Sequence, residues 1–192
     1  MSTDVVRTYY DDDEHTILYE EYFQVNGKKE GEYKSYHENG NLCWICTYIN
    51  DKEEGISKTY YDTGEISFIC YYVDGKENGE YKCYYKNGCE LSEDANLKSS
   101  LDDFLPQNKD LQIFSSDNSK RKNMSSTDSF GQLEKIVTFI DNKLNGEYKS
   151  YYENGQIKCI CNYVNDKREG ECKEYQSTGE CVIDTYVNGI KQ

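Results

Sequence analysis

The chain has 192 residues, with 22 Lys and Arg against 36 Asp and Glu, for a formal net charge of −14. Nucleic-acid affinity rests on cations displacing counterions from phosphates, and an anionic leaflet repels acidic chains, so the composition excludes a general nucleic-acid binder and argues against a membrane partner. Hydrophobic residues make up 36%, below the roughly 45–50% usual for globular proteins, and no run approaches the roughly 18 apolar residues of a membrane-spanning helix.

Residues 1–25 hold seven acids and one base, with Asp11, Asp12, Asp13 and Glu14 in a row. Residues 1–15 are predicted to form a solvated acidic arm. The charged-then-apolar layout of a secretory leader is missing, which predicts an intracellular, cytoplasmic protein. From residue 16 the stretch TILYEEYFQVNGKKEG carries half of a unit that then repeats.

That unit is 24 residues long: Gly31, Gly55 and Gly79 are spaced by it, as are Gly146 and Gly170. Tyr36, Tyr60, Tyr84, Tyr151 and Tyr175 stay in phase, as does a second glycine at Gly40, Gly64, Gly88, Gly155 and Gly179. Columns held in register over five copies identify an internal repeat. The organisation follows. Repeat block 1 spans 16–91, a half-unit plus units starting at 31, 55 and 79. Repeat block 2 spans 128–192, a half-unit plus units starting at 146 and 170. Between them, 92–127 is rich in Ser, Asp, Asn and Lys, the composition of disordered segments. The gap from Gly79 to Gly146 equals one unit plus 43 residues, so one unit either carries a mobile insert between its halves, the favoured reading, or decayed units fill the stretch.

Within each unit, two runs rich in Tyr, Ile, Val, Phe and Thr flank an Asn-Gly or Thr-Gly step, a hairpin signal. A second turn, Asn50-Asp51-Lys52-Glu53-Glu54-Gly55 or Asp74-Gly75-Lys76-Glu77-Asn78-Gly79, joins one hairpin to the next. Side chains alternate along a strand, which predicts Leu42, Trp44, Cys46 and Tyr48 on one face, reproduced by Ile66, Phe68, Cys70 and Tyr72, and by Ile157, Cys159, Cys161 and Tyr163. Ile45, Ile69, Ile136 and Ile160 fall on the other. A lone hairpin is only marginally stable, so each must lean on its neighbours. The predicted fold is all-β: an elongated array of 24-residue antiparallel β-hairpin repeats. Its tyrosines serve as core and cross-strand ladders.

The candidate chemistry is sparse. Nine cysteines are an odd number, and without a leader they argue against a complete disulfide framework. Cys46, Cys70 and Cys161 share one repeat position. Equivalent positions lie two strands apart, about 9.5 Å, beyond the roughly 7 Å that a disulfide bridges. This column is therefore expected to stay reduced, its thiols packing as small hydrophobes. Cys43 and Cys46 form a C-x-x-C, but on a strand rather than at a helix start, and no second pair completes a zinc set. His15 is isolated, and His37 stands where other units carry Tyr61, Tyr85 and Tyr152. No nucleophile–base arrangement emerges. The expectation is a protein that is not an enzyme, with no catalytic, cofactor-binding or metal-ligating residue and no cofactor. Lys120-Arg121-Lys122 is shorter than a localisation signal of five or more basics, and Ser99, Ser100, Ser125 and Ser126 are candidate phosphate acceptors.

The pattern G-x-Y-K-x-Y-x-x-N-G, followed by a strand and N-[DG]-K-x-x-G, resembles the MORN-variant repeat, the second MORN family, as found in bacterial antitoxin-type proteins and in repeat arrays of large DNA viruses. The resemblance covers 31–91 and 128–192, and 16–30 in part. It implies a single twisted sheet with no intrinsic catalysis. It also implies a scaffold mediating protein–protein interaction with an unknown protein partner. An antitoxin- or immunity-like binding module and a membrane-associated module are the alternatives. The tyrosine-rich strands and acidic charge depart from the better-known MORN repeats and argue against lipid.

Overall fold

The computed structural model of the protein describes residues 3–11, 16–86 and 130–192. Among the described residues, the β-branched and aromatic runs are strands. In chain order they are β1 (Thr3–Tyr9), β2 (Leu18–Val25), β3 (Lys28–Tyr36), β4 (Leu42–Ile49), β5 (Lys52–Glu53), β6 (Gly55–Tyr60), β7 (Ile66–Val73), β8 (Lys76–Glu77) and β9 (Gly79–Tyr84), then β10 (Leu133–Ile140), β11 (Lys143–Leu144), β12 (Gly146–Tyr151), β13 (Ile157–Val164), β14 (Lys167–Arg168), β15 (Gly170–Tyr175), β16 (Cys181–Val187) and β17 (Ile190–Lys191). Each long strand pairs antiparallel with the next, giving one open sheet in hairpin order, as the repeat implies. No helix among the described residues is long and apolar enough to cross a membrane.

Two kinds of turn alternate. The joints between units are two-residue loops with positive φ at both positions, such as Asn50 (52°) and Asp51 (67°). That conformation matches the twist of the flanking strands and favours Asn, Asp and Gly. The turn inside each unit is longer. His37 N–H donates to Asn41 O, Gly40 N–H donates to His37 O, and Gly40 sits at φ 83°, a three-residue loop closed by a left-handed residue.

The first glycine of the repeat is inside a strand. Tyr48 pairs with Glu53 and Trp44 with Thr59, so four positions along β4 face six along β5 and β6. Gly55, at φ 81°, lies in this bulge. A left-handed bulge residue strengthens the local twist, and its recurrence sets the 24-residue phase.

Two expectations are revised. Residues 1–15 are more than an arm, because β1 runs alongside β2 from Thr3↔Val25 to Tyr9↔Leu18. Ile66 does not share a face with Phe68. The register shifts between Thr59 and Tyr60, and Ile66 packs with Ile69 and Tyr84, flanked by Ile56, Tyr60 and Leu133. This is the best-buried apolar cluster, with Ile66 at 0% exposure and Ile69 at 1%. β9 pairs directly with β10, from Tyr84↔Leu133 to Gly79↔Phe139, so the unit starting at 79 and the half-unit starting at 128 are two halves of one hairpin. The segment 92–127, the basic cluster at 120–122, the four candidate serines, Gly88, His15 and the acids at 12–14 lie outside the described residues.

Candidate interaction surface

A column of polar side chains locks neighbouring units together just beyond the strand ends. Tyr10 Oη donates to Tyr36 O at 2.7 Å, Tyr61 Oη to Tyr84 O at 2.6 Å, Tyr85 Oη to Tyr151 O at 2.9 Å and Tyr152 Oη to Tyr175 O at 2.7 Å. His37 takes the same role, with Nε2 2.9 Å from Tyr60 O. A carbonyl oxygen only accepts, so Nε2 carries the proton. The phased tyrosines Tyr36, Tyr60, Tyr84, Tyr151 and Tyr175 thus supply the carbonyls, and the residue after each of the first four donates to the next. On the opposite rim, Asp51 Oδ1 accepts from Lys29 N–H and Asp166 Oδ1 from Leu144 N–H, while Glu30 accepts from Asn50 N–H and Glu54 from Asp74 N–H.

The two faces differ. One carries cross-strand pairs of Lys with Ile: Lys34–Ile45, Lys58–Ile69, Lys82–Ile136 and Lys149–Ile160. The lysines also lean on strand neighbours, Lys82 on Glu80 at 2.8 Å and Lys149 on Glu147 at 2.6 Å. The other face is aromatic. Tyr33 packs on Trp44 with centroids 4.8 Å apart and on Tyr48 at 5.7 Å, Phe68 stacks on Tyr81 at 5.4 Å, and Tyr148 meets Tyr163 at 5.8 Å. Lys29 Nζ sits 4.4 to 5.2 Å from the rings of Tyr22, Tyr33 and Tyr48, a cation–π nest. Burial pushes the Tyr33 and Tyr48 hydroxyls well above their ordinary value, so they remain neutral donors.

On this face a cleft of about 340 Å³ opens over units three to five, lined by Tyr85, Tyr148, Tyr152, Lys158 and Arg168 among others. Arg168 donates from Nε to Tyr163 Oη at 3.2 Å and from an Nη to Tyr186 Oη at 3.1 Å, and lies 3.7 Å from Glu174. Hydrogen bonds to both tyrosines reinforce its charge. Lys158 Nζ lies 5.6 Å from the ring of Tyr152. The result is a concave surface of rings and oriented cations.

Beneath the rings run the thiols. Cys46 and Cys70 are buried and free, as expected, and burial pushes both up to about 12, so they are protonated at neutral pH. Cys161 departs from expectation. It is joined to Cys172, which lies directly across on β15 with Cα atoms 4.3 Å apart. The sequence argument compared only equivalent positions two strands away, and the adjacent strand brings a different repeat position opposite Cys161.

The first glycines Gly31, Gly55, Gly79, Gly146 and Gly170 and the second glycines Gly40, Gly64, Gly155 and Gly179 all have positive φ. The phased tyrosines supply the latch carbonyls, and Tyr151 also lines the cleft beside Cys159. Arg168 and the Tyr61, Tyr85 and Tyr152 column were not singled out as functional. Their signal was present in the phase, since His37, Tyr61, Tyr85 and Tyr152 all carry a donor on a ring.

Residues 29–50, 53–74 and 144–165 each match the family model of the MORN repeat variant. Comparison of the chain with curated proteins gave no match.

Proposed function

We propose that this protein, a sheet built on MORN-variant repeats, is a non-enzymatic scaffold that mediates protein–protein interaction through the aromatic face of its later units. MORN repeats serve generally as modules for protein or membrane interaction. The observation that carries the reading is the cleft, where Tyr148, Tyr152 and Tyr163 surround Arg168 and Lys158. Tyr and Arg in a partly desolvated hollow are the residue types that dominate binding energy at protein interfaces. Tyrosine also brings contact area at low entropic cost, having few rotatable bonds.

A crosslinking pull-down with the full chain tests this, run beside the double variant Tyr148→Ala/Arg168→Ala and a control, Glu32→Ala, on the opposite face. The scaffold reading expects a partner retained by the chain and the control and lost by the double variant. Equal retention by all three removes the cleft from the interface. Sedimentation with acidic liposomes in place of protein capture favours the membrane reading.

A further inference from the structure

The repeat supplies its own comparison at every position. The place of Cys161 is Cys46, Cys70 and Val137 in the preceding full units, where a small apolar group is buried. The place of Cys159 is Trp44, Phe68 and Lys135, and the place of Cys172 is Tyr33, Ser57, Tyr81 and Tyr148. Apart from Ser57, these are positions where other units put large side chains. Where β13 meets β15, two such positions and the small-residue column carry sulfur together.

Strand geometry makes the three converge. Cys159 and Cys161 are two apart on β13 and share a face, while Cys161 faces Cys172 across the strands. Cys159 Sγ lies 3.3 Å from Cys161 Sγ and 4.0 Å from Cys172 Sγ, and all three sulfurs fall within 4.8 Å of one another. A tetrahedral zinc with Zn–S bonds of about 2.3 Å holds its sulfurs about 3.8 Å apart, close to both separations. An oxygen donor is at hand, because Glu174 pairs with Cys159 in the ladder. The site also has an entrance, since Cys159 and Glu174 line the cleft while Cys161 and Cys172 are 2% exposed.

We propose that Cys159, Cys161 and Cys172 form a binding site for a thiophilic divalent cation of the Zn²⁺ class, with the fourth position taken by Glu174 or water. The site forms when a dithiol reductant passes two electrons and two protons to the Cys161–Cys172 bond, leaving two thiols and the oxidised reductant. The ion then binds three thiolates as three protons leave to solvent. Because protons leave on binding, uptake strengthens as pH rises. The disulfide and the metal site are alternative states of the same sulfurs.

The test uses the full chain, reduced and kept free of oxygen, titrated with Co²⁺ as an optical reporter and then with Zn²⁺. Native mass spectrometry counts ions per chain. The expected result is one ion per chain, a sulfur-to-cobalt charge-transfer band and displacement of Co²⁺ by Zn²⁺. Cys159→Ser weakens binding on the order of 10- to 100-fold or more, whereas Cys43→Ser and Cys46→Ser leave it unchanged. Circular dichroism checks that each variant folds. If Cys172→Ser does not fold, Cys159→Ser still decides, because its side chain is only partly buried. A reduced chain that retains no ion, or binding that survives Cys159→Ser undiminished, overturns the proposal.

Discussion

Glu53 and Glu77 occupy equivalent positions in successive units, against the tyrosine ladder, where the first half-unit has Lys29 and the fourth has Arg168. Glu53 Oε1 is buried without a hydrogen-bond partner. Burial pushes the Glu53 carboxyl up, with the charge of Glu77 adding to it, and burial raises Glu77 as well. The folded chain therefore holds these protons more tightly than the unfolded chain does. Their contribution to stability is greatest below the ordinary carboxylate value of about 4.3 and is lost as pH rises through the raised folded values. Asp62 and Asp74, held low by Lys86 and Lys52, act in the opposite sense, but both pairs are solvent-exposed and weak. Glu53→Gln is expected to raise stability at neutral pH by less than about 1 kcal/mol, because solvent screens part of the charge of this half-buried side chain, with little gain at acid pH. Urea denaturation at a series of pH values checks this. A Glu53→Gln chain no more stable than the parent at pH 7 contradicts it.

The latch tyrosines give a second expectation at this scale. Tyr61→Phe removes the donor to Tyr84 O while keeping the ring, and is expected to cost about 0.5–1.5 kcal/mol. The loss of amide protection should centre on the junction of the second and third units. Unchanged protection there would mean that solvent replaces the bond. The repeat phase made this column visible in the sequence, down to His37 standing in for tyrosine. It did not disclose the partner, because a carbonyl acceptor in the next unit has no side-chain signature.

At the scale of the element, the turns carry the fold. Gly64 lies at φ 95° with nothing within 4 Å of where a Cβ would stand, so a substitution there meets backbone strain rather than a clash. Gly64→Val is expected to cost about 2 kcal/mol or more, since the left-handed region costs an ordinary residue roughly 1–2 kcal/mol and a β-branched one more. Gly64→Asn should cost markedly less, because Asn visits that region routinely and already does so at Asn26, Asn50 and Asn165. Thermal melts of the two variants settle the order. Equal losses would point to packing instead of φ as the cause.

Hairpin existence and phase were legible at this scale because periodicity and turn chemistry agree. The bulges were not. A two-residue bulge at Gly55 and the register slip between Thr59 and Tyr60 change which face a residue takes without altering composition. That is how Ile66 came to be assigned to the wrong face and the bulge glycine to a turn. The Cys161–Cys172 pair escaped for a related reason, since it depends on lateral register between different repeat positions.

At the scale of the whole molecule, the account holds that a single sheet runs through both groups of repeats. Its joint is β9 on β10, where Lys82 pairs with Ile136 and Tyr81 with Val137, and Val137 is buried in the place that Cys46 and Cys70 hold elsewhere. Tyr85 Oη strengthens the joint by reaching Tyr151 O in the following unit. In a row stabilised by nearest-neighbour contacts, removing the Tyr60 ring should weaken β4, β7 and β9 first and fade with distance instead of stopping at the long connection. The sequence allowed this continuity as one of two readings, since phase alone does not say whether the halves on either side of a long insertion meet.

The most direct measurement is therefore the backbone nuclear Overhauser pattern between residues 79–84 and 133–139 in the full chain. Cross-strand contacts linking Tyr81 with Val137 and Lys82 with Ile136 are the predicted result. Their absence, with 133–140 contacting only 146–151, would mean two separate sheets and would contradict the account.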